Sequence, residues 1–110
     1  MRRAAKKDAN HNEIKQSLQR IPGCEVFDTH QLKDAFDCII AYKGVSYITE
    51  IKNVTAQKKY QSLSKEDKYL YLEKMLTDGE RKAKAMFERA GVTYNIISCI
   101  EEALIMINAK

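Results

Sequence analysis

The chain lacks long apolar runs and tryptophan, and it has only one proline and three cysteines in 110 residues. No apolar run approaches the roughly 20 residues of a membrane-spanning helix. No apolar signal-peptide core follows the basic N-terminus. We therefore expect a cytoplasmic protein with no membrane partner.

Several classes of reactive site have no motif in this sequence. The three cysteines, Cys24, Cys38 and Cys99, are odd in number and lie in apolar contexts, which predicts reduced core residues. Their spacing matches no zinc motif. There is no glycine-rich phosphate loop and no Ser/His/Asp or Cys/His nucleophile system, so we expect no nucleotide cofactor.

The composition, with 45% hydrophobic and 31% charged residues, suits one soluble domain with one core. The net charge of +4 is below the strongest basic signal for nucleic-acid binding. Basic side chains nevertheless gather in clusters, which could contact phosphates or could be solvated surface. The clusters are Arg2, Arg3, Lys6 and Lys7 at the N-terminus, Lys58 and Lys59 after the central strands, and Arg81, Lys82, Lys84 and Arg89 on a later helix.

Apolar periodicity and turn residues predict a single α/β domain over residues 1–110, with residues 1–7 as a flexible basic tail. The expected order is αβββ, an uncertain segment, then αβα, and the expected architecture is a mixed central sheet flanked by helices. The predicted elements are a helix over about 8–20, strands over 24–29, 36–42 and 45–52, a helix from Thr77 to before Gly91, a strand over 92–97 and a helix from Ser98 to about Asn108.

The segment 53–76 is the hardest to assign. Ser64 resembles a helix cap with Asp67 at the third helical position, which predicts a short helix or an ordered excursion. The tyrosines of this segment could stack on bases, line a subunit contact or simply pack half-buried. The apolar stripe of the short helix would be Tyr69, Leu72 and Met75.

Two later helices have capping boxes at their predicted starts. Thr77 and Glu80 form the first, so a structural role is favoured for Glu80, and Ser98 and Glu101 form the second. The first of these helices has the spacing of a core-facing stripe, made by Ala83, Met86, Phe87 and Ala90.

Two acids and a lysine converge on the predicted central strands. Glu50 and Lys52 are two residues apart in one strand and therefore point to the same face. Asp37 can meet them from the neighbouring strand, which a tight turn at Lys43-Gly44 connects. Charged groups among apolar strands are costly unless something pairs with them, and a divalent metal and a phosphate would do so.

These residue types suit metal-assisted hydrolysis of a phosphodiester. Asp37 and Glu50 would supply carboxylates to Mg²⁺, and the backbone carbonyl of Ile51 could be a further ligand. Lys52 could orient or deprotonate the attacking water or stabilise the transition state, and the sequence leaves these roles open. Glu13, beside the core-facing Ile14 and so near the buried boundary, could add another acid. The competing interpretation is a plain ion pair between Glu50 and Lys52 at exposed strand ends.

The whole layout resembles the PD-(D/E)XK nuclease superfamily, and within it compact VRR-NUC-type and Holliday-junction-resolvase-like nucleases, which are often phage-encoded. The resemblance covers roughly residues 10–108. Phe36 stands where the family name has proline, Glu80 stands where related sequences often carry glutamine, and the VRR signature is not obvious. The matching residues are Glu13, Phe36-Asp37, Glu50-Ile51-Lys52, Leu76-Thr77, the stretch from Gly91-Val92 to Ser98, and Glu101-Glu102-Ala103.

The resemblance implies a restriction-endonuclease-like core and an Mg²⁺- or Mn²⁺-dependent endonuclease that acts on duplex or branched DNA and leaves a 5′-phosphate. Asp37 and Glu50 would bind the metal, Lys52 would be catalytic and Glu13 would assist. A homodimer would place two sites on two strands. Two alternatives stay open: a non-catalytic DNA-binding or assembly protein with this fold, and a nuclease that cleaves RNA. The candidate DNA contacts are Gln57, Lys58, Lys59, Arg2 and Arg3.

Overall fold

A computed structural model describes residues 9–29, 35–54 and 57–108. These residues form a four-stranded mixed sheet flanked by helices, which confirms the predicted α/β class. The N-terminal tail with Arg2 and Arg3 lies outside the described residues. The elements are α1 (Ala9–Gln19), β1 (Glu25–Asp28), β2 (Cys38–Tyr42), β3 (Val45–Ile51), α2 (Gln57–Gln61), α3 (Lys65–Glu73), α4 (Asp78–Arg89), β4 (Tyr94–Ile97) and α5 (Ile100–Ile107).

The sheet has the order β1-β2-β3-β4. Strands β1, β2 and β3 are antiparallel neighbours, whereas β4 lies parallel to β3 after a crossover through three helices. The β2–β3 turn is formed by Lys43 and Gly44, which both have positive φ, of 50° and 80°. This is the pattern of a two-residue type I′ hairpin, so the predicted tight turn is confirmed.

Two apolar clusters pack on the two faces of the sheet. One joins α1 and α5 to Cys38, Ile40 and Ile51, and the other joins α2, α3 and α4 to Ile48 and Ile96. Since side chains alternate along β3, Glu50 and Lys52 share the face of Ile48, toward α4. The sheet thus places the predicted acid and lysine on the face that α4 covers.

The uncertain segment contains two helices, α2 and α3. Ser64 is the N-cap of α3, and its hydroxyl accepts a hydrogen bond of 3.1 Å from the Asp67 amide, as predicted. The stripe is only partly right, because Leu72 is buried while Tyr69 and Met75 are 37% and 38% exposed.

Helix α4 begins with the predicted capping box of Thr77 and Glu80. Its predicted core stripe is half wrong: Ala83 and Phe87 pack against the core, but Met86 is 49% exposed and Ala90 is also exposed. The half-buried line of α4 runs from Glu80 through Ala83 to Phe87, so positions 86 and 90 turn away from the sheet.

The predicted capping box of Ser98 and Glu101 is wrong, because α5 begins one residue later. Cys99 is the N-cap and makes no side-chain cap bond. Glu102 occupies the third helical position instead, where its Oε1 accepts from the Ser98 amide at 2.7 Å and from the Ser98 hydroxyl at 3.0 Å. The hydroxyl of Tyr60 donates to the other oxygen of Glu102, which ties α2 to the start of α5.

The described cysteines are free, as predicted, with Cys24 and Cys38 buried and Cys99 partly buried. Strand β4 is shorter than predicted because the Val92 amide donates to the Phe87 carbonyl and completes the end of α4. Among the described residues, no helix has the length and apolarity needed to cross a bilayer.

Candidate active site at the end of strand β3

Glu50 and Lys52 meet at the C-terminal end of β3. The ammonium Nζ of Lys52 lies 3.3 Å from Oε2 of Glu50. The predicted pairing is therefore present, but the strand end is not exposed as the plain ion-pair interpretation requires, since Glu50 is only 3% exposed. A carboxylate this buried is costly unless its charge is compensated.

Asp37 joins the pair from the residue just before β2. Its Oδ2 accepts a hydrogen bond of 2.8 Å from the Ile51 amide, and its own amide donates to the Thr49 carbonyl at 3.1 Å. The antiparallel register, with Cys38 opposite Thr49, continues to place Asp37 beside Glu50. The convergence of Asp37, Glu50 and Lys52 is thus present in the structure.

Glu80, for which the sequence favoured a helix-capping role, is a further member of the site. Its Oε1 accepts from the Thr77 amide at 2.9 Å, as the capping box requires. The same oxygen accepts from Lys52 Nζ at 2.8 Å. Lys52 is therefore held by two carboxylates, one from β3 and one from α4.

The pKa values of the acids differ because their surroundings differ. Burial, with the nearby charges of Asp37 and Glu80, raises the pKa of Glu50 to about 9. Burial also raises the pKa of Asp37, against the hydrogen bond from Ile51. Burial opposes ionisation of Glu80 as well, but hydrogen bonds from Lys52, the Thr77 amide and Glu50 prevail and lower its pKa. Glu50 is therefore the acid that holds a proton at neutral pH when no cation is present.

The pKa of Lys52 is raised although burial acts to lower it. The hydrogen bond to Glu80 and the charges of both glutamates outweigh the desolvation of the ammonium. Lys52 thus stays a cation across neutral pH, and it can donate hydrogen bonds but not accept a proton.

The donor set fits a hard divalent cation. The Oε1 atom of Glu50 is buried and has no hydrogen-bond partner among the described residues. A cation beside it and the Asp37 carboxylate would satisfy that oxygen. No described group of three or more His, Cys, Asp or Glu side chains is arranged to hold a metal by itself, whereas Mg²⁺ commonly binds one or two carboxylates together with waters and substrate phosphate.

Helix α1 does not present the residue that the sequence predicted. Glu13 is exposed and makes no hydrogen bond or ion pair with the described residues, so its predicted place at the buried boundary is wrong. Asn10 is directed to the site instead. Its Nδ2 donates to the carbonyls of Lys52, at 3.0 Å, and Ser98, at 2.9 Å. The sequence did contain a signal for this placement, because Asn10 lies one helical turn before the buried Ile14 and therefore on the same face of α1.

His11 is a second residue of α1 near the site. Its ring is 2% exposed, and Nε2 lies 3.0 Å from Oδ1 of Asp28, whose other oxygen binds Lys15 Nζ at 2.5 Å. A positive charge on His11 would lower the pKa of Asp37, which places the ring at the edge of the acidic cluster. The helix pattern alone does not reveal this contact, because it cannot show what a side chain meets.

The candidate DNA contacts that the structure describes lie on α2, soon after β3. Lys58 and Lys59 are exposed. Gln57 is also exposed, but its Nε2 donates to the Val54 carbonyl at 2.6 Å, so part of its amide serves the start of the helix. Tyr60, which is fully buried, fixes α2 against the core. The two lysines therefore face solvent on a helix that the neighbouring Tyr60 anchors to the core.

Comparisons of the chain with protein-family models, curated proteins and solved structures found no match. The functional interpretation therefore depends on the geometry of the site itself.

Proposed function

We propose that the protein is a metal-dependent endonuclease that hydrolyses phosphodiester bonds in DNA. The observation that carries this proposal is the buried, unpartnered Oε1 of Glu50 beside Asp37 and Lys52. Two acids and a lysine at one strand end form a set that can hold a divalent cation and neutralise a phosphate.

Asp37 and Glu50 would hold Mg²⁺ or Mn²⁺, with the Ile51 carbonyl as a further ligand. When bound, the ion would polarise the scissile phosphate and lower the pKa of a bound water. The Ile51 amide holds one Asp37 oxygen in place, and the removal of the proton from Glu50 would accompany metal binding.

Lys52 would act as a fixed cation rather than as a base. Its ammonium is kept protonated by Glu50 and Glu80, so it can donate to a phosphate oxygen as negative charge develops in the transition state. Of the three roles that the sequence left open for Lys52, a lysine that stays protonated excludes deprotonation of the attacking water. A proton from the attacking water would have to go to another group.

A restriction-endonuclease-like core is part of the same proposal. It is supported by the mixed sheet with β3 and β4 parallel and by the placement of the acids at the β2–β3 end. Duplex or branched DNA is the proposed substrate, and a homodimer is the proposed assembly. Leu70 of α3 and Ile105 of α5, 51% and 61% exposed, are candidates for the subunit contact that we place on residues 54–76 or the terminal helix.

The first test is a cleavage assay with end-labelled linear duplex, single-stranded, flap and four-way-junction DNA, and with RNA, in Mg²⁺, Mn²⁺ or EDTA. We expect metal-dependent cleavage of DNA that is lost in Glu50→Ala. Glu66→Ala, which changes an exposed glutamate of α3, should cleave like the wild type. Binding of DNA without cleavage in any metal would contradict the proposal and favour the non-catalytic alternative.

A further inference from the structure

Glu80 connects the start of α4 to the lysine of the site through one oxygen atom. Oε1 accepts from the Thr77 amide at 2.9 Å and from Lys52 Nζ at 2.8 Å. The first bond is local and the second joins residues 28 positions apart. The Glu80 side chain is 13% exposed and that of Lys52 is 14% exposed, so the contact is largely shielded from water.

The capping box orients Glu80 before it meets Lys52. The Thr77 hydroxyl accepts from the Glu80 amide at 3.2 Å while the Glu80 carboxylate accepts from the Thr77 amide, which fixes both ends of the glutamate. A lysine stem is flexible, with four carbons to order. A carboxylate held on a helix start is therefore a rigid anchor for a mobile ammonium.

Glu50 alone gives Lys52 a weaker anchor. The Lys52–Glu50 distance of 3.3 Å is longer than the 2.8 Å to Glu80. Glu50 is also the acid expected to turn toward a metal, which would loosen its hold on the lysine. Glu80 is then the carboxylate left to keep the ammonium in place.

We propose that Glu80 is the positioning residue of Lys52, holding its ammonium at the site while Glu50 serves the metal. This inference rests on the proposed nuclease function. In this role Glu80 would act through Lys52 rather than on the substrate. It uses one side chain both to begin α4 and to place the cation, so the start of α4 becomes part of the active site.

The chain contains a matched control for the contact. Lys84 is also held by two carboxylates, with Nζ 3.2 Å from Glu73 and 3.0 Å from Glu88, on the outer side of α3 and α4. Glu73→Ala therefore removes one of the two carboxylates that hold a lysine away from the site. Thr77→Ala is a second control, because it removes the hydroxyl half of the capping box and leaves the amide that binds Glu80.

The first readout is chemical and needs no activity. The metal-free protein is treated with a limiting amine-acylating reagent, and labelling of each lysine is measured by mass spectrometry. We expect labelling of Lys52 in Glu80→Ala to rise about tenfold, the factor for removing one charge-assisted hydrogen bond. Glu73→Ala should leave Lys52 as in the wild type, and Thr77→Ala, which keeps the amide that binds Glu80, should raise its labelling much less than Glu80→Ala does. An equal rise in Thr77→Ala would mean that the fraying of α4 frees the lysine, and would overturn the inference.

The second readout is kinetic. Glu80→Ala should lower kcat by about 10²-fold with KM changed by less than about twofold, because a cation is displaced while substrate binding is kept. Glu80→Gln should recover most of this loss, since an amide oxygen can accept both bonds. In a Lys52→Ala background, Glu80→Ala should have no further effect on kcat, and additive effects would overturn the inference.

The two readouts distinguish failure of the positioning role of Glu80 from failure of the proposed nuclease function. Absence of cleavage by the wild type in every metal would overturn the nuclease function and with it any role of Glu80 in catalysis. Cleavage by the wild type together with a kcat of Glu80→Ala equal to that of Thr77→Ala would overturn the positioning role alone.

Discussion

A buried glutamate beside two other acids lowers the stability of the metal-free protein. The pKa of Glu50 is raised from 4.5 to about 9 by burial and by Asp37 and Glu80. Between these values the folded state binds more protons than the unfolded state, so the free energy of unfolding falls as pH rises, by up to about 1.4 kcal/mol per pH unit. Because Glu50 lowers the free energy of unfolding of the metal-free protein, its presence points to a role in binding rather than in folding.

We therefore predict that Glu50→Gln stabilises the metal-free protein at pH 8. The neutral amide has the shape of the protonated acid and loses no stability as pH rises. Urea unfolding in EDTA at pH 5 and pH 8 measures the free energy of unfolding of both proteins. The value for Glu50→Gln should exceed that of the wild type slightly at pH 5 and by a larger gap at pH 8. Glu66→Gln, at an exposed position of α3, is the control. A gap that is the same at both pH values would show that Glu50 is ionised in the folded protein.

The residues of the site were predictable where spacing along one strand or across one hairpin decides proximity. Glu50, Lys52 and Asp37 follow from the alternation of strands and a two-residue turn. For Glu80 the sequence favoured the capping role, because nothing local reveals a partner 28 residues away. Glu13 was misplaced because consecutive residues of a helix point in different directions, so the burial of Ile14 does not extend to its neighbour.

At the scale of elements, helix starts were better predicted than helix faces. A cap depends on a few neighbouring residues, as at Ser64 and Thr77. Which side of α4 is buried depends on the sheet, and so Met86 turned out exposed. The start of α5 was displaced by one residue because Glu102, rather than Glu101, meets both Ser98 and Tyr60.

Helix α2 carries our prediction about DNA. Replacing both Lys58 and Lys59 by Ala should weaken DNA binding uniformly across sequences and reduce the slope of log K against log salt by about 2, because each lysine is expected to neutralise one phosphate. Fluorescence anisotropy in Ca²⁺, from about 50 to 200 mM salt, measures that slope without cleavage.

The control for this prediction is Lys43→Ala on the β2–β3 turn. Lys43 is an exposed cation at the opposite end of β3 from Lys52. Its replacement should leave the slope unchanged. An equal effect of Lys43→Ala would indicate a diffuse charge interaction rather than binding of DNA by α2.

For the whole molecule, we predict that Mg²⁺ stabilises the fold through the two carboxylates. A ligand at about 100 times its dissociation constant adds about 2.7 kcal/mol to the free energy of unfolding. Thermal denaturation with and without Mg²⁺ should show the shift in wild type and in Asp67→Asn, an exposed acid of α3. Asp37→Asn should show none, and a shift that persists in Asp37→Asn would place the ion elsewhere.

The parallel pairing of β3 with β4 has a consequence for the time at which the protein becomes active. Asp37, Glu50, Lys52 and Glu80 are all made before β4, which pairs with Ile48–Ile51 and whose Ile97 carbonyl binds the Lys52 amide. A nascent chain that ends before residue 94 therefore has these four side chains, but its β3 pairs only with β2 and lacks its partner β4. The proposed site is therefore complete only once β4 has been made and has paired with β3.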